Sequence, residues 1–226
     1  MDHLLPVIVS DEIRRILPGL RIHGMRFEGA RIGVGDPGLD PLRRRILQRI
    51  ADRAGRIRDL AEIPSIQALT ELLAELGQIP HVTPLTVLEQ VRSVARRDPF
   101  PVENDAKDGA LLLSLYYLMP VFLLEAKALR PPLVFLPNPG HYVLPTLAGP
   151  VQARGAPVLA DDEKVLRALQ YKVRRVPVHE FTKEYLLLIV DPGIDGGLDH
   201  RRTVQRAENW MSTLTRARLV RSAVSS

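Results

Sequence analysis

The sequence predicts an α+β fold, a single domain of mixed or antiparallel β-sheets packed against several helices. Helical spacing of apolar residues dominates the middle of the chain, and brief strand-like runs broken by proline or glycine lie before and after it. These runs do not alternate regularly with helices, as they would in a parallel α/β fold. No Gly/Ser-rich or proline-rich linker divides the 226 residues, so we expect one domain spanning 1–226.

The first part of the chain is predicted to run strand, short helix, strand, and then three helices. The strands cover residues 5–9 and 20–25, with a helical turn at Ile13 and Ile16 between them. The first long helix, over 41–58, is amphipathic and carries seven arginines. Two more follow, over 66–76 and 84–96. Thr83 is predicted to cap the second of these, because Pro84 suits a first helical position.

The stretch ALLLSLYYLMPVFLL, residues 110–124, is the most apolar segment. A bilayer-spanning helix needs about 20 apolar residues, whereas charged residues close this run at Asp108 and Glu125. Pro120 cannot donate a helical hydrogen bond, so a helix over 108–119 should end or kink there. We expect this helix to be buried in a core or beside a pocket, and not in a membrane.

The remaining chain is predicted to contain five short strands and a closing helix. The strands cover 133–136, 142–144, 157–160, 165–169 and 185–191. The helix covers about 199–220, with Trp210 and Met211 in its apolar stripe. Residues 222–226 are expected to be loose.

Composition narrows the functional classes. The chain has no cysteine, which excludes disulfides, thiol catalysis and cysteine-ligated zinc. The opening MDHLLPVIVSDEIRR does not resemble a secretory signal, so a cytoplasmic location is expected. The net charge of +5 comes largely from clustered arginines, whose planar guanidinium suits phosphate, so a polyanionic partner is worth testing.

Three motifs invite a chemical interpretation that their context does not favour. GVGDPG, residues 33–38, spells a nucleotide-binding pattern, but its Asp-Pro pair and late helix favour an ordinary turn. His179-Glu180 lacks a second histidine four residues on, so no metal site is predicted. The acidic run at 161–163 is more typical of a turn than of a magnesium site.

A basic segment near residue 175 is the candidate nucleic-acid surface. Positive charge interleaved with Tyr171 and Phe181 suits the phosphates and bases of single-stranded RNA. A solvated face is an equally good interpretation of this segment alone. The proposed phosphate contacts are Lys172, Arg174, Arg175 and Lys183.

Five segments in order, covering about residues 5–191, resemble one family. They resemble the tRNA-binding and editing domain (B-three/B-four) of the phenylalanyl-tRNA synthetase beta subunit, and its free-standing relatives in particular. The segments are VSDEIRRILPGLRIHGM, IQALTELLAELGQIPHVTPLTVLEQV, PFPVENDAKDGALLLSLYYLMPV, GAPVLADDEKVL and TKEYLLLIV.

The resemblance implies an editing-domain architecture, with the apolar helix under a pocket for the 3′ end of a mischarged tRNA. The substrate-binding residues implied are Asn104, Ser114, Tyr117 and Phe122. The chain departs from the family's polar pattern at Leu111, Phe122 and Ile189, which makes the expected pocket more apolar.

Two functions follow from these expectations. In the first, the domain binds the aminoacyl end of tRNA and hydrolyses misacylated tRNA in trans, through a positioned water and without an assigned catalytic residue, cofactor or metal. In the alternative, a non-catalytic module keeps the fold to bind RNA, an amino-acid-like ligand or a protein partner. Homo-oligomer formation is left open by the sequence.

Overall fold

The computed structural model describes residues 5–35, 39–54, 59–146, 148–173 and 175–225. Its helices and sheets confirm the α+β class. The helices are α1 Asp11–Ile16, α2 Leu39–Ala54, α3 Pro64–Glu75, α4 Thr86–Ala95, α5 Asp105–Tyr117 and α6 His200–Thr215. The strands are β1 Ile8–Val9, β2 Arg21–Glu28, β3 Val121–Glu125, β4 Val134–Pro137, β5 Leu144–Thr146, β6 Gly149–Val151, β7 Pro157–Ala160, β8 Val165–Ala168, β9 Glu184–Asp191 and β10 Arg218–Ser225.

Mixed and antiparallel sheets form as expected. One sheet has the order β10-β2-β9-β3 and is antiparallel throughout. A second has the order β1-β4-β7-β8, in which only the β1–β4 pair is parallel. Strands β5 and β6 form a separate antiparallel pair. Strand β9 is central to the first sheet, and this explains its nearly continuous apolar sequence.

Helix α5 is the apolar segment that the sequence singled out, and it is buried on two sides. Leu112 and Leu115 pack into a core shared with α3 and α4, whereas Ala110 and Leu113 pack toward the first sheet and α6. In the described part of the chain, no helix is long and apolar enough to cross a membrane.

Both ends of α5 have clear physical causes. The Asn104 side chain caps its start by accepting from the Lys107 amide at 3.0 Å, so the helix begins three residues before the predicted position 108. Leu118 then turns into the left-handed region with φ of 57°. The helix therefore ends before Pro120, and β3 starts at once.

The predicted cap of α4 is wrong. Leu85 occupies the N-cap position without a side-chain hydrogen bond, and the helix starts at Thr86. Thr83 is still in the preceding turn, where its amide donates to the Ile79 carbonyl. The Thr86 amide donates to the Leu169 carbonyl instead, so a tertiary contact sets the first residue of the helix.

The predicted C-terminal helix is wrong beyond Thr215. Arg216 adopts a left-handed conformation with φ of 54°, and the chain continues as β10 along β2. The expectation of a loose end is wrong up to Ser225, whose hydroxyl accepts from the Ile22 amide at 2.8 Å. This pairing gives hydrogen-bond partners to the backbone groups on the outer edge of β2, which a longer helix would leave without strand partners.

Gly109 allows α5 and α6 to approach closely. A Cβ at this position would lie 2.7 Å from Leu214 Cδ1 and 3.0 Å from Met211 Sδ. We expect Gly109→Val to lower the free energy of unfolding by about 1–3 kcal/mol through overpacking. Urea unfolding measures the change, with Ala74→Val on the exposed side of α3 as the control for β-branching. Equal losses in both variants would contradict close packing at Gly109.

Candidate functional site

A cleft of about 800 Å³ lies beside α5 and Pro120. Asp108, Leu111 and Ser114 line one side of it, because residues three apart share a helix face. Strand β3 and the end of β8 supply another side, and the segment around Lys172 and Arg175 completes the lining. The cleft therefore lies where the apolar helix, its proline and the basic segment meet.

A second groove of about 1090 Å³ joins this cleft. It runs between α2 and α4, and the two hollows share Thr86, Gln90, Leu111 and Lys172 among their lining residues. Its outer wall is basic, with Arg44 and Arg45 from the arginine-rich helix α2. The two hollows are therefore neighbours on either side of these shared residues.

Arg167 is an unusual cation in the lining of the cleft. Its two terminal nitrogens donate to the carbonyls of Leu123, Leu166, Arg175 and Val176. Within the described ranges it has no carboxylate partner, and its Nε has no hydrogen-bond acceptor. Burial lowers the pKa of Arg167 to about 10, so it remains charged near neutral pH. The carbonyls fix its plane but leave its charge uncompensated.

Asp108 is the buried acid of the same cleft. Only 2% of its surface is exposed. Oδ1 accepts from the Glu103 amide at 3.1 Å, and Oδ2 has no hydrogen-bond partner among the residues described. Burial raises the pKa of Asp108, and the nearby Arg43 guanidinium offsets part of that rise. In the sequence, Asp108 stands out only as a charged residue that closes the apolar run. Its burial and its position near Arg43 of α2 are visible only in the structure.

Two predicted substrate-binding residues have their polar atoms engaged by backbone. Ser114 lines the cleft, and its Oγ donates to the Met119 carbonyl at 2.7 Å and lies 3.1 Å from Gln90 Oε1. Asn104 is the α5 cap, and its amide nitrogen donates to the Val178 carbonyl at 3.2 Å. A substrate contact from either side chain stays a prediction.

The other two predicted substrate-binding residues lie on different sides of α5. Phe122 lines the cleft and is otherwise buried in the core. Tyr117 packs against the opposite core, and its buried hydroxyl has no hydrogen-bond partner in the described part of the chain. Of the departures from the family pattern, Leu111 lines the cleft, whereas Ile189 is fully buried in β9.

The predicted phosphate-binding residues divide into separate locations. Lys172 and Arg175 line the cleft together with Tyr171. Lys183 is exposed elsewhere, with its Nζ 3.4 Å from the Ala30 carbonyl, and Arg174 lies outside the described residues. Between β8 and β9, the described residues contribute only an isolated bridge, at Val173.

Two of the weaker motifs, His179-Glu180 and the acidic run at 161–163, form no metal site among the residues described. Among the residues described, no three His, Asp or Glu side chains gather as a metal site would require. Asp161 Oδ1 accepts from the amides of Glu163 and Lys164, so this carboxylate stabilises a turn. Residues 36–38 of GVGDPG lie outside the described ranges.

A titratable chain of three side chains lies outside the cleft. His23 Nε2 is 3.2 Å from Asp191 Oδ2, and His23 Nδ1 is 3.0 Å from His200 Nδ1. Burial alone would raise the pKa of Asp191, but hydrogen bonds from His23 and from the Leu198 and Gly193 amides lower it. Burial and the nearby His23 lower the pKa of His200. These contacts join β2 and β9 to the first turn of α6.

Comparisons with known proteins assign no family to this chain. No family model matches the chain, and no curated protein matches it. A solved structure similar to it is an N-terminal fragment of the phenylalanyl-tRNA synthetase beta subunit from Pyrococcus horikoshii, with a TM-score of 0.45 and 12% identity. The match covers 97% of this chain and 54% of that one, so the chain spans about half the length of the fragment.

We expect the free energy of unfolding to fall in mild acid because His200 lies against His23. The lowered pKa of His200 means that the folded state binds fewer protons than the unfolded state. The contribution of His200 to stability is therefore fully present above its pKa in the unfolded chain, about 6.5. This contribution is lost as pH falls through the lower pKa that His200 has in the folded protein. Urea unfolding at several pH values should show this, with a shallower dependence in His200→Gln. The same dependence in both proteins would contradict the assignment.

We expect Ser114→Ala to destabilise the fold by about 1–2 kcal/mol, because the Met119 carbonyl loses its buried donor. Thermal and urea unfolding measure the change. Ser222→Ala, at an exposed position of β10, is the matched control and should change stability by less than about 0.5 kcal/mol. No loss in Ser114→Ala would show that this hydrogen bond does not hold the end of α5.

Proposed function

We propose that this chain binds the 3′ aminoacyl end of tRNA in the cleft beside α5. The observation that carries the proposal is the group of Arg167, Lys172 and Arg175 in the lining of one cleft, next to Tyr171. Cations suit the phosphates of RNA, and an aromatic ring offers a stacking surface for an unpaired base. The resemblance of the sequence to a tRNA-editing domain agrees with this choice of ligand.

The lack of a carboxylate partner at Arg167 within the described ranges is the strongest electrostatic support. This half-buried cation is held by carbonyls alone, and a bound phosphate would supply the opposite charge. The four carbonyls that hold its terminal nitrogens keep the guanidinium in place before a ligand arrives. Lys172 is exposed and Arg175 is half-buried, so both can reach a ligand with small side-chain movements.

The two neighbouring hollows support a ligand longer than one nucleotide. Lys172 lines both hollows, so a chain held there can continue toward Arg44 and Arg45 on α2. We propose that residues 1–226 act together as one RNA-binding domain, which would work in the cytoplasm with the tRNA pool. Self-association is not needed for this function, because one chain supplies the whole groove.

Hydrolysis of a misacylated ester is the catalytic form of the proposal. A positioned water would attack the ester carbon, and the ribose oxygen would leave with a proton. Ser114 is a poor nucleophile here, because its hydroxyl is bound to the Met119 carbonyl and no histidine lines the cleft in the described part of the chain. The engaged side chains of Ser114 and Asn104 favour the alternative, binding without hydrolysis.

Deacylation assays with a panel of mischarged tRNAs distinguish the two forms. Release of the amino acid at enzyme concentrations well below substrate supports hydrolysis. Binding without release supports the non-catalytic module. Failure to bind any tRNA at low salt would overturn the proposal in both forms.

The cations Lys172 and Arg175 in the lining of the cleft predict that RNA binding weakens as the salt concentration rises. We expect Lys172→Ala and Arg175→Ala each to weaken binding of a single-stranded CCA-ending RNA and to reduce the salt slope by about 0.7 per lost phosphate contact. Fluorescence anisotropy across a salt series measures both quantities. Arg15→Ala, an exposed change on α1, is the charge-matched control and should leave the slope unchanged. Equal effects of all three changes would indicate general charge attraction and not this cleft.

A further inference from the structure

We infer that Asp108 binds the free α-ammonium group of the aminoacyl end, so that the cleft selects an RNA end carrying an unmodified amino acid. This inference rests on the proposed function and adds to it the chemical class of the ligand. It gives the cleft two kinds of charged group, cations for phosphate and a carboxylate for the amine. Nothing in the sequence pattern assigned a role to this acid.

One oxygen of Asp108 lacks a hydrogen-bond donor. The residue is 2% exposed and lines the cleft, and its Oδ1 is occupied by the Glu103 amide. Oδ2 is buried and has no hydrogen-bond partner within the described ranges. A buried carboxylate oxygen without a donor is costly, so an incoming N–H group would be stabilised there.

Arg43 is close to this oxygen without satisfying it. The Arg43 terminal nitrogen lies 3.8 Å from Asp108 Oδ2, beyond hydrogen-bond distance. The same guanidinium is held by Asp40 at 3.2 Å and lies over the Phe100 ring at 4.7 Å. The Arg43 Nε also has no acceptor among the residues described, and a donor from a ligand would approach Oδ2 from the cleft that Asp108 lines.

The charges around Asp108 favour a cationic ligand. Burial raises the pKa of this carboxyl, and the nearby Asp105 and Glu103 charges raise it further against the effect of Arg43. Lys107, the other cation near this end of the cleft, is paired with Glu103 at 2.6 Å. An ammonium group donates hydrogen bonds and also adds the positive charge that would favour the ionised carboxylate.

The charged groups in the lining match a ligand that carries both charges. Asp108 lines the cleft from α5. The cations Arg167 and Arg175 are in the lining formed by β8 and the segment that follows it. An aminoacylated nucleotide carries phosphate and a free ammonium group, whereas uncharged RNA lacks the ammonium and an N-acylated aminoacyl end has lost its charge.

Non-hydrolysable RNA ligands test this selection directly. The probes are CCA-ending oligonucleotides with the amino acid joined to the terminal ribose by an amide, with either a free or an acetylated α-amino group. We expect the protein to bind the free-amine probe at least tenfold more tightly than the acetylated one. Asp108→Asn should bind both probes about equally, since it keeps an acceptor for the Glu103 amide but loses the charge.

Glu12→Gln is the matched control, because Glu12 is an exposed carboxylate on α1, outside the lining of the cleft. It should keep the tenfold preference. A preference that survives in Asp108→Asn, or one lost equally in Glu12→Gln, would overturn the role of Asp108. If Asp108→Asn does not fold, the preference of the wild-type protein for the free-amine probe is measured at several pH values instead. This preference should disappear as pH falls and Asp108 becomes protonated. A preference that stays constant with pH would overturn the inference.

The outcomes separate this inference from the proposed function. Equal binding of the two probes by the wild-type protein overturns ammonium recognition and leaves RNA binding intact. Failure to bind the probes and uncharged RNA alike overturns the proposed function itself.

Discussion

The Ser114 hydroxyl donates to the Met119 carbonyl across a left-handed turn at Leu118, and this contact closes α5 immediately before Pro120. Because the helix ends there, Val121–Glu125 can pair with β9 as the edge strand of the antiparallel sheet. The cleft occupies the angle between the end of the helix and the start of this strand. Its lining therefore depends on where one buried helix stops.

The cleft combines groups whose charges are incompletely matched within the protein. Arg167 is held by carbonyl oxygens and has no carboxylate partner within the described ranges. Asp108 has the Arg43 guanidinium at 3.8 Å, and its Oδ2 has no hydrogen-bond partner there. Stability alone would favour pairing such groups or replacing them with apolar ones. Their presence in the lining of one concave site supports a ligand that is polar at both ends.

Local sequence patterns were sufficient for elements whose ends are set by nearby residues. Strand β7 lies at the predicted positions, and the position of Pro120 correctly placed the end of α5. Strand β10 was missed because its partner Glu28 is about 190 residues earlier in the chain, while its own sequence continues the apolar spacing of α6. The start of α4 was misplaced for a related reason, since the Leu169 carbonyl fixes it from a distant strand end.

The candidate site was only partly accessible to sequence reasoning. Lys172 and Arg175 stood out as a basic cluster, and the cleft brings them beside the apolar helix. Arg167 and Asp108 gave no such signal, because their importance comes from burial and from partners on other elements.

Photo-crosslinking from the terminal adenosine of a CCA-ending RNA, with the attached peptides mapped by mass spectrometry, tests the central claim most directly. The account predicts attachment within 108–114 and 171–175, whereas attachment confined to α1, α6 or β10 would contradict it.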